Sequence, residues 1–139
     1  MAMAGYSGTP LLKKLGMAPG MKILLLHPPA NYYELLEMDI SNQLCAKDEI
    51  PDLVHMFATS NKIFESCMKS INSFRKKNPR IIVWVSWYKK SAKIPTDITE
   101  DSIRSFALEN DWVDIKVCAV SEVWSALKLV VPLNKRKQV

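Results

Sequence analysis

Three runs of apolar residues have the length and composition of buried β-strands. They cover 22–27, 52–58 and 81–87, and the most continuous is the IIVWV stretch at 81–85. A strand that is apolar at every position must be covered on both faces, and parallel strands receive that cover from the helices that connect them. The pattern therefore predicts three parallel strands at the centre of the fold.

Apolar residues at helical spacing precede, separate and follow these runs. The first helix is predicted to have Thr9 as its N-cap, Pro10 at its first helical position and Gly16 at its end. Later helices are predicted over 31–38, between Asn61 and Asn78, and from Thr99 onwards. The segment 39–51 is harder to interpret, since either a short edge strand around Leu44 or a plain loop fits it.

Two further strand-like segments, 114–120 and 124–131, are separated by only three residues. A parallel pair needs a crossover of about a dozen residues, so these two strands must form an antiparallel hairpin. The whole pattern predicts one α/β domain over 1–139, three-layered and Rossmann-like, with a mostly parallel sheet. The last strand is expected to insert between the segments at Ile81 and Asp114, a plan similar to that of a truncated class I methyltransferase.

Several short stretches at both ends of the chain and in its central strand stand out as a set. They are 5–11 (GYSGTPL), 13–16 (KKLG) with 19–20 (PG), 84–87 (WVSW) with 89–90 (KK), and 124–130 (WSALKLV). This set resembles a bacterial family known as domain of unknown function 3052. The resemblance implies a bacterial cytoplasmic protein with a reduced, methyltransferase-like Rossmann fold, and it implies no activity. Residues 32–47 match nothing in that resemblance.

The composition, with 48% apolar and 24% charged residues, is typical of a soluble globular protein. The net charge of +5 comes from clusters at 75–80, 89–93 and 135–137. These clusters are sparser than those of nucleic-acid-binding proteins, so a solvated surface is favoured and nucleic acid is an unlikely partner. We expect residues 1–8 to form an N-terminal arm and 133–139 a flexible basic tail.

No apolar run approaches the roughly 18 residues of a membrane span, and the first residues lack the charged start and apolar middle of a signal peptide. A cytoplasmic location is therefore expected. Cys45, Cys67 and Cys118 are odd in number and widely spaced, which favours reduced thiols over disulfides or a metal site. The sequence does not indicate the oligomeric state.

Ligands of open α/β sheets bind beyond the carboxyl ends of the parallel strands. The loops there hold the candidate ligand-binding residues, which are His27, Asn31, Thr59, Trp87, Lys89 and Lys90, with Tyr6 as a ring that could cover the crevice from the arm. The lysines are expected to be exposed. Trp87 could offer a flat face to a ligand or pack on a helix, and Tyr6 could equally pack on the sheet edge or on a second subunit.

No cofactor is predicted. The loop after the first strand, HPPA at 27–30, has no glycine, and its two prolines lack the amide donors that a nucleotide cofactor needs. His55 lies inside a strand and is expected to be a hydrogen-bonded core histidine. No nucleophile, base and acid can be assembled from two histidines placed in this way.

The sequence contains no motif that names a chemistry, and whether the protein is an enzyme stays open. The leading hypothesis is a non-catalytic protein, or one that binds an unknown small anionic ligand at the carboxyl ends of the parallel strands. A degenerate S-adenosylmethionine-dependent methyltransferase is one alternative. The other is a protein or nucleic-acid interaction module that uses 75–80 and the basic tail.

Overall fold

A computed structural model of the chain describes residues 9–46 and 48–138. Its five strands form one sheet in the order β1-β2-β3-β5-β4. The strands are β1 (Ile23–Leu26), β2 (Leu53–Phe57), β3 (Ile82–Tyr88), β4 (Val113–Ala119) and β5 (Trp124–Val130). The helices are α1 (Leu11–Leu15), α2 (Tyr32–Leu36), α3 (Asn61–Ile71), α4 (Phe74–Lys77) and α5 (Glu100–Glu109).

The three apolar runs are adjacent and parallel, as predicted. Leu24 of β1 lies beside Val54 of β2, which lies beside Val83 of β3. The residues that follow the three strands therefore meet at one end of the sheet, which we call the carboxyl edge. The opposite end, where these strands begin, is the amino edge.

The predicted hairpin is also present, and β5 lies between β3 and β4, antiparallel to both. This confirms the expected insertion of the last strand between its two predecessors. The hairpin contains a β-bulge, because two residues between Asp114 and Val117 lie opposite the one residue between Leu129 and Leu127. β4 therefore has one extra residue relative to β5. It is also the outer strand of the sheet on this side.

The segment 39–51 contains a one-turn 3₁₀ helix, Ser41–Gln43, and then a single parallel bridge between Leu44 and Ile23. The amide of Cys45 donates to the carbonyl of Ile23 at 2.8 Å. This single bridge, which is not extended into a strand, lies on the side of β1 away from β2. After β1 the chain forms the bridge at Leu44 on one side of β1 and then forms β2 on the other side. The order in which the chain adds segments to the sheet therefore reverses direction at β1.

Helices cover both faces of the sheet, which gives the predicted three layers. Tyr32 and Leu36 of α2 pack with Ile23 and Phe57, together with α1, on what we call the α2 face. The opposite face, the α3 face, carries Val54, Met56, Val83 and Val85 under α3 and α5. Trp84 also ties α1 to the sheet, since its Nε1 donates to the carbonyl of Leu15 at 2.9 Å.

The helix ends follow the expected signals with two corrections. The single helix predicted between Asn61 and Asn78 is divided at 72–73 into α3 and α4. Gly16 ends α1 with φ of 75°, but Pro10 occupies the N-cap position and Thr9 lies outside the helix. Ser60 caps α3 by accepting from the amide of Ile63. Thr99 begins α5 with a capping box that it forms with Ser102.

The basic end of the chain has secondary structure where a flexible tail is predicted. Leu133–Gln138 form a 3₁₀ helix, and Nε of Arg136 donates to the carbonyl of Val131 at 2.8 Å. The longest helix, α3, has 11 residues, and no helix in 9–46 or 48–138 combines the length and hydropathy of a membrane span.

Candidate ligand-binding site

The reversal at β1 marks the position at the carboxyl edge where open α/β sheets bind ligands, and we call this position, between the loops at 27–31 and 58–61, the crevice. The connection after β1 leads to α2 on one face, and the connection after β2 leads to α3 on the other face. Two neighbouring loops that leave in opposite directions open a gap between them, and this is where open α/β sheets bind ligands. The gap lies between 27–31 and 58–61.

The first of these loops places two of the predicted residues in solvent. His27 is exposed and turns the chain directly after β1 with φ of 55°, in the left-handed region that histidine tolerates better than most residues. Asn31 is exposed at the N-cap position of α2, and its side chain makes no capping hydrogen bond. Both side chains are therefore available to a ligand in the crevice.

The second loop is covered by residues that follow β3. The hydroxyl of Thr96 donates to the carbonyl of Thr59, and the amide of Asn61 donates to Oδ1 of Asp97, both at 2.8 Å. Nδ2 of Asn61 also donates to the carbonyl of Asp97 at 2.8 Å. The side chain of Thr59 stays exposed, but a carboxylate of the protein already occupies the first amide of α3. An anionic ligand would have to displace Asp97 to bind there.

The residues at the end of β3 differ in how far their side chains are exposed to a ligand. Trp87 is only 7% exposed and belongs to the core on the α3 face, so it packs on helices and offers no open ring. Lys90 is exposed, whereas Lys89 is half-buried, which corrects the expectation for Lys89. The amide of Lys89 donates to the carbonyl of Val123 at 2.8 Å and so joins this loop to the hairpin.

An aromatic pair that spacing along the chain does not reveal lies beside these lysines. The rings of Tyr88 and Trp124 are stacked, with centroids 4.3 Å apart and planes at 25°. Both side chains are half-buried. Strand alternation places Tyr88 on the face opposite to Trp87, but its partner could be found only from the register of β5 against β3, which pairs the two residues.

The aromatic row continues across the α2 face. Phe57 meets Trp124 edge-on with ring centroids 5.0 Å apart, and Tyr32 meets Phe57 edge-on at 5.5 Å. The row therefore runs from the hairpin to α2 beneath the crevice. Adjacent strands are about 4.8 Å apart, so the ends of β1 and β3 are separated by about 10 Å, a span that one small molecule can bridge.

A polar network is enclosed beneath this row. Nδ1 of His55 lies 2.7 Å from the hydroxyl of Tyr32, and its Nε2 lies 2.6 Å from Oγ of Ser86. His55 and Ser86 are fully buried, and burial lowers the pKa of His55 to about 3. Burial also raises the pKa of Tyr32. The prediction of a hydrogen-bonded core histidine is confirmed, and a neutral imidazole without access to solvent cannot act on a ligand in the crevice.

Tyr6 lies outside the described residues. Of the other predicted site residues, His27, Asn31, Thr59 and Lys90 are exposed at the carboxyl edge, Lys89 is half-buried there, and Trp87 is in the core.

No protein-family model matches the chain, and no curated protein matches it. Among solved structures, the chain is similar to one described as a protein in the NADB-Rossmann superfamily from Streptococcus agalactiae. The two share a TM-score of 0.57 at 9% identity, over 91% of this chain and 69% of the other. The chain has an α/β Rossmann-like fold. At this identity the similarity concerns the fold alone, and the mixed sheet described above agrees with it.

Proposed function

We propose that the chain binds a small anionic molecule with a flat ring at the carboxyl edge, on the α2 face. The observation that carries the proposal is the reversal of strand order at β1, which separates the loops at 27–31 and 58–61. A ligand in this gap can reach His27 and Asn31 on one side. Across the end of β2 it reaches the stacked Tyr88 and Trp124 at the end of β3.

The charge of the ligand is inferred from the lysines next to this aromatic pair. Lys89 follows Tyr88 directly, and its amide is bound to the residue before Trp124. Within the described part of the chain, neither Lys89 nor Lys90 has a carboxylate within salt-bridge distance. Cations beside a flat aromatic surface favour a ligand that combines negative charge with a ring.

The proposed role is binding without chemical conversion. The Ser86 and His55 pair lies in the core, and the side chain of His27 has no hydrogen-bond partner among the described residues that could orient it as a base. General acid–base catalysis needs a positioned group within hydrogen-bond reach of the ligand, and the exposed side chains that 9–46 and 48–138 place at the crevice do not include such an arrangement.

A nucleotide cofactor is a weaker proposal. The loop after β1 has two prolines and no glycine, and α2 has only five residues, so the loop lacks the amides that cradle phosphates. The insertion of β5 between β3 and β4 favours the methyltransferase-like alternative. Against it, the residues after β2, Ala58-Thr59-Ser60, include no acid for ribose hydroxyls. Membership of the family known as domain of unknown function 3052 also remains a proposal, resting on the motifs at both ends of the chain.

Thermal-shift measurements on the full chain test this function. The panel contains aromatic carboxylates, mononucleotides, S-adenosylmethionine, S-adenosylhomocysteine and nicotinamide dinucleotides. A ligand at a hundred times its Kd stabilises the native state by about 2.7 kcal/mol, which raises the Tm by roughly 5–10 °C in a protein of this size. We expect such a shift from aromatic anions of up to mononucleotide size.

Variants locate the site. Replacing Lys89 and Lys90 together by Ala, or Tyr88→Leu alone, should abolish most of the shift. The matched control replaces Lys13 and Lys76, which are exposed on α1 and α4 away from the carboxyl edge, and should keep it. A larger shift with either adenosyl compound would favour the methyltransferase-like alternative, and the absence of a shift with every aromatic anion would refute the proposal.

A further inference from the structure

A groove of about 820 Å³ lies at the amino edge of the sheet, far from the carboxyl-edge crevice. Its walls are the end of α3 with α4 on one side and the end of α5 with the following turn on the other. The tail adds Lys135 to the rim. The groove therefore brings Arg75 and Lys76 of one basic cluster together with Lys135, which lies about 60 residues further along the sequence.

The floor of the groove is apolar. Met68, Trp112 and Val131 are buried at its base, and Phe106 is half-buried in its wall. The ring of Phe106 packs edge-on against Phe64 with centroids 5.0 Å apart, which fixes its position. An apolar side chain of a bound molecule can therefore lie against Phe106 without rearrangement of the core.

One wall is held rigidly by Arg75. Its guanidinium lies 4.7 Å from the ring centre of Trp112 and donates to the carbonyls of Asn110 at 3.1 Å and Asp111 at 2.8 Å. These contacts hold the turn in which Asp111 has φ of 61°. Because Arg75 covers the face of Trp112, that ring is not available for stacking on a nucleic-acid base.

The lining of the groove carries a net positive charge. Four cations line it, Lys69, Arg75, Lys76 and Lys135, against the two carboxylates of Glu109 and Asp111. Asp111 is paired with Lys135 at 3.7 Å. Lys69 and Lys76 are exposed and have no carboxylate within salt-bridge distance in the described ranges. The wall formed by α3 and α4 thus presents two unpaired ammonium groups above an apolar floor.

We propose that this groove binds an acidic peptide. Carboxylate side chains of the peptide contact Lys69 and Lys76, and one apolar side chain packs against Phe106. A peptide is favoured over single-stranded nucleic acid because Arg75 covers the ring of Trp112, which leaves that ring unavailable for base stacking. The site is independent of the ligand proposed for the carboxyl edge.

Fluorescence anisotropy with labelled eight-residue peptides and the full chain tests the proposal. One peptide carries four Glu and one central Leu, the second replaces Glu by Gln, and the third replaces Leu by Ser. We expect the Gln peptide to bind at least tenfold more weakly than the acidic peptide, and the Ser peptide several-fold more weakly. Raising the salt from 50 to 200 mM should weaken the acidic peptide further, since its charges contact exposed lysines.

Charge reversal identifies the groove. Lys69→Glu combined with Lys76→Glu should weaken binding of the acidic peptide by tenfold or more. The control, Lys13→Glu with Lys62→Glu, makes the same change in net charge at exposed positions outside the groove and should weaken binding no more than about twofold. Phe106→Ala should remove the preference for Leu, whereas Leu108→Ala, exposed on the same helix, should preserve it.

Three results would overturn the proposal. The acidic and Gln peptides could bind equally, the control variant could lose as much affinity as the groove variant, or a single-stranded oligonucleotide could bind more tightly than the acidic peptide and respond to the same variants. The last result would assign the groove to nucleic acid. Circular dichroism of each variant shows whether it is folded, and an unfolded variant is replaced by the corresponding Lys→Gln pair.

Discussion

Nε2 of His55 and Oγ of Ser86 lie 2.6 Å apart, in a side-chain hydrogen bond that joins β2 to β3 within the core. The other ring nitrogen of His55 meets the hydroxyl of Tyr32 at 2.7 Å. The network therefore fastens α2 to the sheet through one imidazole, and no buried polar side-chain atom among the described residues is left without a partner. Its energetic role leads to two predictions.

The first prediction concerns acid. Burial lowers the pKa of His55 from 6.5 to about 3 in the folded chain, so the unfolded chain binds a proton at a pH where the folded chain does not. Stability is therefore full above pH 6.5 and falls as the pH decreases from 6.5 towards 3, by up to about 1.4 kcal/mol per pH unit. Urea unfolding at pH 7.5, 6.5, 5.5 and 4.5 measures the decrease.

His55→Gln provides the comparison, because it removes the titrating group and keeps an amide that can hydrogen-bond. The variant should be less stable at pH 7.5 and lose less stability than the parent between pH 6.5 and 4.5. Equal losses in the two proteins would contradict the assignment of the pH dependence to His55.

The second prediction removes one partner of the imidazole at a time. Tyr32→Phe and Ser86→Ala each leave a buried ring nitrogen without a hydrogen bond, which should cost about 1–3 kcal/mol of unfolding free energy. Tyr33→Phe is the control, since the hydroxyl of Tyr33 has no hydrogen bond in the part of the chain that is described. It should change the stability by less than about 0.5 kcal/mol. Comparable changes in unfolding free energy for Tyr32→Phe and Tyr33→Phe would show that the hydrogen bond of Tyr32 to His55 does not stabilise the fold.

The third prediction concerns the loop that covers the end of β2. Asp97→Ala removes the acceptor of the Asn61 amide, so the unfolding free energy should fall by about 1 kcal/mol. Hydrogen exchange at the amide of Asn61 should become faster. Glu65→Ala, an exposed change on the same helix, should leave that exchange rate unchanged. An unaltered rate in Asp97→Ala would mean that the loop does not protect the start of α3.

The fourth prediction compares two residues of α5. Ile103 is fully buried against the sheet, whereas Leu108 is 75% exposed. Ile103→Ala should cost about 2–5 kcal/mol, because it deletes three carbon atoms from the core and leaves a cavity. Leu108→Ala should change the unfolding free energy by no more than about 0.5 kcal/mol. Denaturant titrations of the two variants measure both values, and similar losses would place α5 differently on the sheet.

The central strands and the hairpin could be predicted because their signals are local. An apolar run such as 81–85 needs cover on both faces, and three residues between β4 and β5 leave no room for a parallel crossover. The bridge at Leu44 could not be predicted in the same way. One residue pair has no periodicity of its own, and it forms only because α2 returns the chain to the free side of β1.

The candidate site was predictable in position but not in detail. Parallel strands must bring His27, Thr59 and Lys90 to one edge. The hydrogen bond from the amide of Asn61 to Asp97 joins residues that are 36 positions apart. The stacking of Tyr88 on Trp124 depends on the register between β3 and β5. Neither is encoded in spacing along the chain. The exposure of Trp87 cannot be predicted from the sequence for a similar reason, since packing on α3 and α5 decides it.

The extra residue of β4 affects how readily this edge of the sheet can pair with a strand of another chain. Ile115 and Val117, at and beside the bulge, are 52% and 43% exposed on β4, which is the edge strand of the sheet. A flat strand with such side chains would be a template for further chains and so a start for aggregation. The bulge interrupts the regular row of backbone donors and acceptors along this strand, so the strand that exposes these two apolar side chains is a poor template for pairing with another chain.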